Sequence, residues 1–154
     1  MLLVVALALA STAHAVEIDL MHYAVNDLRT GEETQLDAFR GKPTFLLVFE
    51  PGCIYCARQS RIFNRMLETC DSFKVVAIGV NCTRRRLLDD LDMLQPRFPA
   101  FMAGEEFAYE LGEVVITPVM LLADARGNYE LHLLGLQDSE RLLSILGLVD
   151  STCP

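Results

Sequence analysis

The sequence contains no tryptophan and has little positive charge. Its 13 lysine and arginine residues stand against 21 aspartate and glutamate residues, which gives a formal net charge of −8. This balance disfavours a protein that binds nucleic acid by neutralising phosphates. Charged residues make up only 22% of the chain and hydrophobic residues 52%, so the composition also disfavours a disordered protein. With 154 residues and no internal repeat, the chain is predicted to form one domain around one buried core.

Charge is also absent from the beginning of the chain. Residues 1–15 include no Asp, Glu, Lys or Arg, and they end in Ala13-His14-Ala15, the small-x-small pattern that signal peptidase recognises. We therefore expect residues 1–15 to be a secretory signal peptide and residues 16–154 to be one folded domain. The alternative is an uncleaved membrane anchor, although the apolar core is short for a span of about 20 residues unless further residues precede it. Both interpretations place the folded domain in the periplasm or another exported, oxidising compartment.

The rest of the sequence alternates between strand and helix patterns. Two short strands joined by a turn are predicted in residues 21–36, where Asn26-Asp27 and Thr30-Gly31 interrupt short apolar stretches. Further strands are predicted at residues 44–49, 73–80, 98–102, 119–123 and 129–134, and helices at residues 54–69, 84–94, 105–111 and from 138 or 139 to 146. This order predicts an α/β domain whose mixed sheet combines parallel crossovers with a terminal antiparallel hairpin. In the first helix, a helical stripe is formed by the apolar positions Ile54, Ala57, Ile62, Met66 and Leu67, together with the stem of Arg61.

A C-x-x-C motif lies where a buried strand passes into this first helix. Two residues, Ile54 and Tyr55, separate Cys53 from Cys56, so both sulfurs can face each other while the first lies over unsatisfied backbone N–H groups. Those groups favour a thiolate on Cys53, the species that attacks a disulfide, and the second thiol can then resolve the mixed disulfide. We predict Cys53 as the nucleophile and Cys56 as the resolving thiol. A structural disulfide or half of a zinc site are the alternatives, but a zinc site needs a second ligand pair, and the other three cysteines stand singly.

A second feature is the dipeptide Thr117-Pro118, at the start of a predicted strand. Proline cannot donate a hydrogen bond to a neighbouring strand, so its place at the start of an interior strand is unusual. A cis bond at this position would bend the backbone and leave it free to pair with an extended peptide. An ordinary trans proline at a sheet edge is the alternative if the dipeptide is taken alone.

Together these motifs resemble the thioredoxin superfamily and, within it, the TlpA-like branch of extracytoplasmic thioredoxins. The matching stretches are residues 37–43, 53–56, 107–112 and 116–124, with Gly127. The resemblance implies a thioredoxin fold, with a central mixed sheet flanked by four helices, an N-terminal β-hairpin extension, and a cis-Pro118 against a redox-active Cys53/Cys56 disulfide. It implies an enzyme, a thiol–disulfide oxidoreductase of the reductase type that needs no cofactor and no metal.

The resemblance also implies partners. These are protein thiols and disulfides, and a membrane-borne thiol that donates electrons, with cytochrome c maturation as one implied role. No nucleic acid partner is expected, and a monomer is favoured. The alternatives are a disulfide oxidase or isomerase of the Dsb type and a non-catalytic binding module that keeps the fold.

Three departures from the family pattern bear on the direction of electron flow. Gly52 replaces the tryptophan that commonly precedes the first cysteine. The dipeptide Ile54-Tyr55 replaces a proline-containing pair, and since this dipeptide tunes thiolate stability it leaves the direction open. The combination of Tyr55 with Thr117 also resembles the disulfide isomerases. The buried acid expected in the preceding strand has no counterpart, so Glu50 is the nearest carboxylate; it could accept the Cys56 proton, although a side chain that points to water is favoured.

The resemblance also implies where the remaining three cysteines lie in the fold. If the fold is right, Cys70 at the end of the first helix and Cys153 after the last helix lie at the same far edge of the sheet, and we predict a structural disulfide between them. Cys82 would remain unpaired at the active edge, next to the three arginines at residues 84–86. A cationic neighbourhood lowers a thiol pKa, which makes Cys82 a candidate third redox thiol, with a buried spectator cysteine as the favoured alternative.

Overall fold

A computed structural model describes residues 17–148 and Cys153, so the predicted signal peptide lies outside the described residues. The strands are β1 (Ala24–Asp27), β2 (Glu33–Gln35), β3 (Thr44–Phe49), β4 (Lys74–Gly79), β5 (Ala100–Ala103), β6 (Val119–Ala123) and β7 (Tyr129–Leu134). The helices are α1 (Ile54–Thr69), α2 (Arg84–Leu94), α3 (Glu105–Leu111) and α4 (Ser139–Ile145), with a 3-10 helix at Leu36–Phe39. None of the helices in this described part is long and apolar enough to cross a membrane.

The seven strands form one mixed sheet in the order β2-β1-β5-β4-β3-β6-β7. Strand β3 lies inside the sheet: Val48 is opposite Ile78 of the parallel strand β4 and opposite Val119 of the antiparallel strand β6. All six β3 residues are buried, as expected for a strand that is covered on both faces and shows no alternation. The β1–β2 hairpin extends the sheet through an antiparallel pairing of β1 with β5. The predicted thioredoxin fold, with its N-terminal β-hairpin and terminal β6–β7 hairpin, is confirmed.

The two faces of the sheet carry different cores. On one face, Phe45 packs against Phe63 of α1 with ring centroids 5.4 Å apart, and α2 and α4 complete this layer. On the other face, Tyr23 stacks on Phe107 of α3 with centroids 4.8 Å apart. Because α1 packs on β3 and follows it directly, its first turn lies at the edge of the sheet where β3 ends.

The face that α1 buries differs from the apolar stripe in its sequence. Ile54 is 62% exposed, because it lies in the first turn of the helix at the open edge of the sheet. The residues that α1 buries are Cys56, Ala57, Gln59, Ser60, Phe63 and Met66. The buried face therefore includes two polar side chains, and the apolar pattern did not identify them because it weighs hydrophobicity alone. The oxygen of the Gln59 amide is accommodated, since Oε1 accepts the backbone N–H of Gln137 at 2.8 Å, whereas Nε2 is buried without a hydrogen-bond partner among the described residues.

Candidate active site

Cys53 and Cys56 form a disulfide at the N-terminus of α1, with their Cα atoms 5.2 Å apart. Cys53 is the N-cap residue of the helix, and its Sγ accepts the backbone N–H of Cys56 at 3.0 Å. The helix dipole and this N–H group would stabilise negative charge on Cys53 in the reduced protein. Cys53 is partly exposed whereas Cys56 is buried, so only the first sulfur is open to another molecule.

The loop between β3 and α1 is held from two sides. Within the loop, the backbone N–H of Cys53 donates to the carbonyl oxygen of Glu50 at 3.4 Å. Gly52 has φ +78°, a left-handed conformation that favours glycine. From outside the loop, Asp90 on α2 accepts the backbone N–H of Gly52 at 2.9 Å. The residue before Cys53 is therefore anchored to a helix that is distant in the sequence.

Glu50 does not simply point to water. It is half-buried, and its Oε1 accepts a hydrogen bond from Nδ2 of Asn81 at 2.6 Å. The same Nδ2 group lies 3.4 Å from the carbonyl oxygen of Val114. Glu50 thus ties the cysteine loop to the loops after β4 and after α3. Its hydrogen bond within the described chain goes to Asn81 and not to Cys56, so the structure contains no direct contact for a Glu50 that accepts the Cys56 proton.

The peptide bond between Thr117 and Pro118 is cis, and Pro118 is buried. Val119, the next residue, lies opposite Val48 near the end of β3. Pro118 therefore occupies the sheet edge at which β3 passes into the cysteine loop. The carbonyl oxygen of Pro118 accepts the N–H of Gly135 at 2.9 Å, which holds the proline segment against the loop after β7.

Exposed apolar side chains occur inside the cysteine motif and in the segment that leads to the cis bond. Ile54 and Tyr55, inside the motif, are exposed, and so are Val115 and Ile116 immediately before the cis bond. The guanidinium of Arg58 lies over the ring of Tyr55, 5.5 Å from its centroid. Exposed apolar side chains of this kind are typical of a surface that contacts another polypeptide.

The structure also describes three cysteines outside this pair, two in a second disulfide and one as a free thiol. Cys70, which caps the C-terminus of α1, forms a disulfide with Cys153, with Cα atoms 4.8 Å apart and both residues buried. Cys82 is a free thiol, partly buried, in the loop between β4 and α2. In the part of the chain that the structure describes, no group of three or more His, Cys, Asp or Glu side chains is placed to hold a metal ion.

Two residues of the site had no signal that pointed to them in the sequence. Asp90 belongs to a run of charged residues on α2, a pattern that indicates a solvated helix face. Gln59 is a polar residue outside the apolar stripe of α1, so the sequence indicates an exposed side chain, yet it is fully buried. The role of Asp90 becomes clear only when the cysteine loop packs beside α2, and that of Gln59 only when residues 135–138 pack beside α1.

No protein-family model and no curated protein matches the chain. Solved structures do match it. A Chlorobium tepidum protein described as a thiol:disulfide interchange protein DsbE is 19% identical, with a TM-score of 0.70 over 86% of this chain and 96% of that one. A secreted Mycobacterium tuberculosis disulfide oxidoreductase is 14% identical, with a TM-score of 0.62 over 84% and 95% of the two chains.

A third solved structure is the exposed lipoprotein thioredoxin Etrx1 of Streptococcus pneumoniae. It is 14% identical to this chain, with a TM-score of 0.67 over 81% of this chain and 97% of that one. These structural neighbours are thioredoxin-fold thiol–disulfide oxidoreductases. The chain shares their fold over nearly their whole length, with a C-x-x-C disulfide of its own.

Proposed function

We propose that this chain, which has the thioredoxin fold, is an extracytoplasmic thiol–disulfide oxidoreductase that reduces protein disulfides through Cys53 and Cys56. The observation that carries the proposal is the difference in solvent exposure and hydrogen bonding between the two cysteines. Cys53 is accessible at a helix N-terminus and accepts a backbone N–H group, while Cys56 is buried beside it. A nucleophile needs access and a stabilised thiolate, whereas a resolving thiol needs only to reach the first sulfur.

The reaction takes two exchange steps. In the reduced protein, the Cys53 thiolate attacks one sulfur of a substrate disulfide, a bond forms between Cys53 and that sulfur, and the other substrate sulfur leaves as a thiolate. Cys56 then gives its proton to the substrate thiolate released in the first step and attacks Sγ of Cys53, which re-forms the Cys53–Cys56 disulfide and releases the second substrate thiolate. Two electrons pass from the protein to the substrate. A membrane-borne donor with two thiols restores the Cys53/Cys56 dithiol by the reverse exchange and is itself left as a disulfide.

Substrate proteins would dock on the exposed apolar side chains around Cys53. Ile54 and Tyr55 lie on the helix side of the sulfur, while Val115 and Ile116 lead into the cis-proline segment. Such a surface accepts an extended polypeptide without selecting one sequence. Protein thiols and disulfides are therefore the proposed substrates.

An exported location is supported by three observations. The uncharged apolar residues 1–15 have the pattern of a secretory signal. The Cys70–Cys153 disulfide is a structural bond of the kind that persists in oxidising compartments. Two of the structural neighbours are described as secreted and as an exposed lipoprotein.

The proposal is tested by the reduction of insulin with dithiothreitol, followed as turbidity. Wild type should accelerate the reaction, and Cys53→Ser should reduce the rate to that of dithiothreitol alone. Equal rates for wild type and Cys53→Ser would instead support a binding module whose cysteine pair is only a staple. An oxidase or isomerase, which Tyr55 and Thr117 would suit, is distinguished by the reduction potential of the pair, about −120 mV for an oxidant against about −270 mV for a reductant.

A further inference from the structure

We infer that Asp90 is a positioning residue for Cys53: its carboxylate holds the turn before the nucleophile, and its negative charge opposes formation of the Cys53 thiolate. The inference rests on the proposed function and adds a determinant of the direction of electron flow. It starts from a contact that crosses from α2 to the cysteine loop. Oδ1 of Asp90 accepts the backbone N–H of Gly52 at 2.9 Å, and the two residues are 38 positions apart in the sequence.

Gly52 is suited to this contact. Its φ of +78° turns the backbone immediately before Cys53, and a Cβ at this position would find no atom within 4 Å. The space on the side of Gly52 where a side chain would project is therefore open. The hydrogen bond to Asp90 ties this turn to α2.

The second oxygen of Asp90 distinguishes this carboxylate from its neighbours. Oδ2 is shielded from solvent and accepts no hydrogen bond from the described residues. Asp89 and Asp92, on the same helix, are exposed. A carboxylate oxygen that is removed from water is weakly screened, so its charge acts on nearby groups more strongly than the charge of an exposed carboxylate does.

Cys53 lies within reach of that charge. Gly52 and Cys53 are consecutive, with Cα atoms about 3.8 Å apart, so the Asp90 carboxylate and the Cys53 sulfur lie within about 10 Å, the Debye length at 0.1 M salt. A like charge at this range disfavours the thiolate. Because a stabilised thiolate stabilises the reduced form and makes a pair oxidising, Asp90 shifts the pair toward the reducing side.

Other charged and titratable groups also face this region. Arg86 lies one turn before Asp90 on α2, and Arg58 and Arg61 lie on α1, but none of the three forms an ion pair with Asp90 among the described residues. Glu50 has the same charge sign as Asp90, and it is bonded to Asn81; the Cys82 thiol follows Asn81. Asp90 is the carboxylate that is bonded directly to the residue before Cys53.

The test compares Asp90→Asn with Asp89→Asn in the reduced protein, both in a Cys82→Ser background. Asparagine at residue 90 keeps an oxygen that can accept the Gly52 N–H and removes only the charge. Asp89→Asn removes the same charge from the exposed neighbouring position. The rate of Cys53 alkylation by iodoacetamide, followed by mass spectrometry against pH, reports the Cys53 pKa. Asp90→Asn should lower the alkylation midpoint by about one pH unit, a tenfold change in the acid dissociation constant, and Asp89→Asn should leave it in place.

Two further variants separate charge from folding. Asp90→Glu restores the carboxylate and should return the midpoint toward the wild-type value, which a merely structural role would not do. If Asp90→Asn does not fold, Asp90→Ser gives the same comparison. An unchanged midpoint in the folded, uncharged variant overturns the inference. Failure of the proposed function has a different result, because the wild type itself would then not accelerate insulin reduction.

Discussion

The buried side chain of Gln59 on α1 accepts a hydrogen bond from the backbone N–H of Gln137 over 2.8 Å. Two residues earlier, Gly135 donates its N–H to the carbonyl oxygen of Pro118 at 2.9 Å. The loop after β7 therefore joins the helix of the cysteine motif to the cis-proline segment. The cysteine helix and the cis-proline segment are thus both bonded to backbone N–H groups of this one loop.

Replacing Gln59 with leucine should destabilise the protein. The variant leaves the Gln137 N–H without its acceptor, which costs about 1–3 kcal/mol, and it also removes the buried, unpartnered Nε2 of Gln59, which offsets part of this cost. The free energy of unfolding in urea measures the effect. Gln35→Leu, at an exposed position of β2, is the matched control and should change stability by no more than about 0.5 kcal/mol. Equal losses in the two variants would contradict the role of the Gln59 contact.

Replacing Cys56 with serine should trap a mixed disulfide. Without the resolving thiol, reduced Cys56→Ser should accumulate a covalent adduct with oxidised glutathione on Cys53, and wild type should not. Intact mass followed by peptide mapping measures both the adduct and its position. Cys82→Ser, which removes a different thiol, serves as the control and should behave as wild type. An adduct that maps to Cys82 would mean that the free thiol takes part in the exchange.

Removal of the Cys70–Cys153 disulfide should lower stability and spare the activity. The bond closes a loop with a sequence separation of 83 residues, so the double serine variant should lose about 3–5 kcal/mol in urea unfolding by the chain-entropy estimate. Cys70 ends α1, a helix of 16 residues that extends about 24 Å from the active cysteines. Insulin reduction at a temperature where the variant is folded should therefore continue. Loss of activity in the folded variant would show that the two disulfides are coupled.

The ion pair between Asp19 and Arg40 should make stability depend on pH in acid. Nη2 of Arg40 donates to Oδ2 of Asp19 at 2.7 Å, and this hydrogen bond lowers the pKa of Asp19 below its usual value. A lowered pKa in the folded state adds stability that is present above the unfolded pKa of about 3.9 and is lost as the pH falls through the folded value.

The difference in Tm between wild type and Asp19→Asn should therefore be present at pH 6 and should narrow as the pH falls below the unfolded pKa of about 3.9 and the carboxyl becomes protonated. Asp71→Asn provides the control, because the Asp71 side chain is 97% exposed and its ion pair with Lys42 is screened by solvent, so this variant should change the Tm little at pH 6. A Tm difference between wild type and Asp19→Asn that stays constant as the pH is lowered would contradict the role of this ion pair.

Much of the fold was predictable because its local signals agree. The continuous apolar runs of β3 and β6 lie in strands covered on both faces, and α1 and α2 begin and end at the predicted residues. Gly112 ends α3 with a positive φ. Capping residues, glycines and hydrophobic runs all act over a few neighbouring positions, and a sequence displays them directly.

The supporting contacts of the candidate site could not be predicted in the same way. Asp90 and Gln59 each bond to a backbone group of a distant loop, and the burial of each depends on how its helix packs. Glu50 shows the same limit: its partner Asn81 lies 31 residues away. Each of these side chains bonds to a group that is more than 30 residues away in the sequence. Local sequence patterns do not contain such pairs, so only the folded structure shows them.

The reduction potential of the Cys53/Cys56 pair tests the central proposal most directly. Equilibration of wild type with defined ratios of reduced and oxidised glutathione or dithiothreitol, followed by acid quenching and mass analysis of the two thiols, gives the value. A reductase should have a potential near −270 mV, the value of thioredoxin. A potential near −120 mV, or a cysteine pair that does not exchange with either couple, would contradict the proposed function.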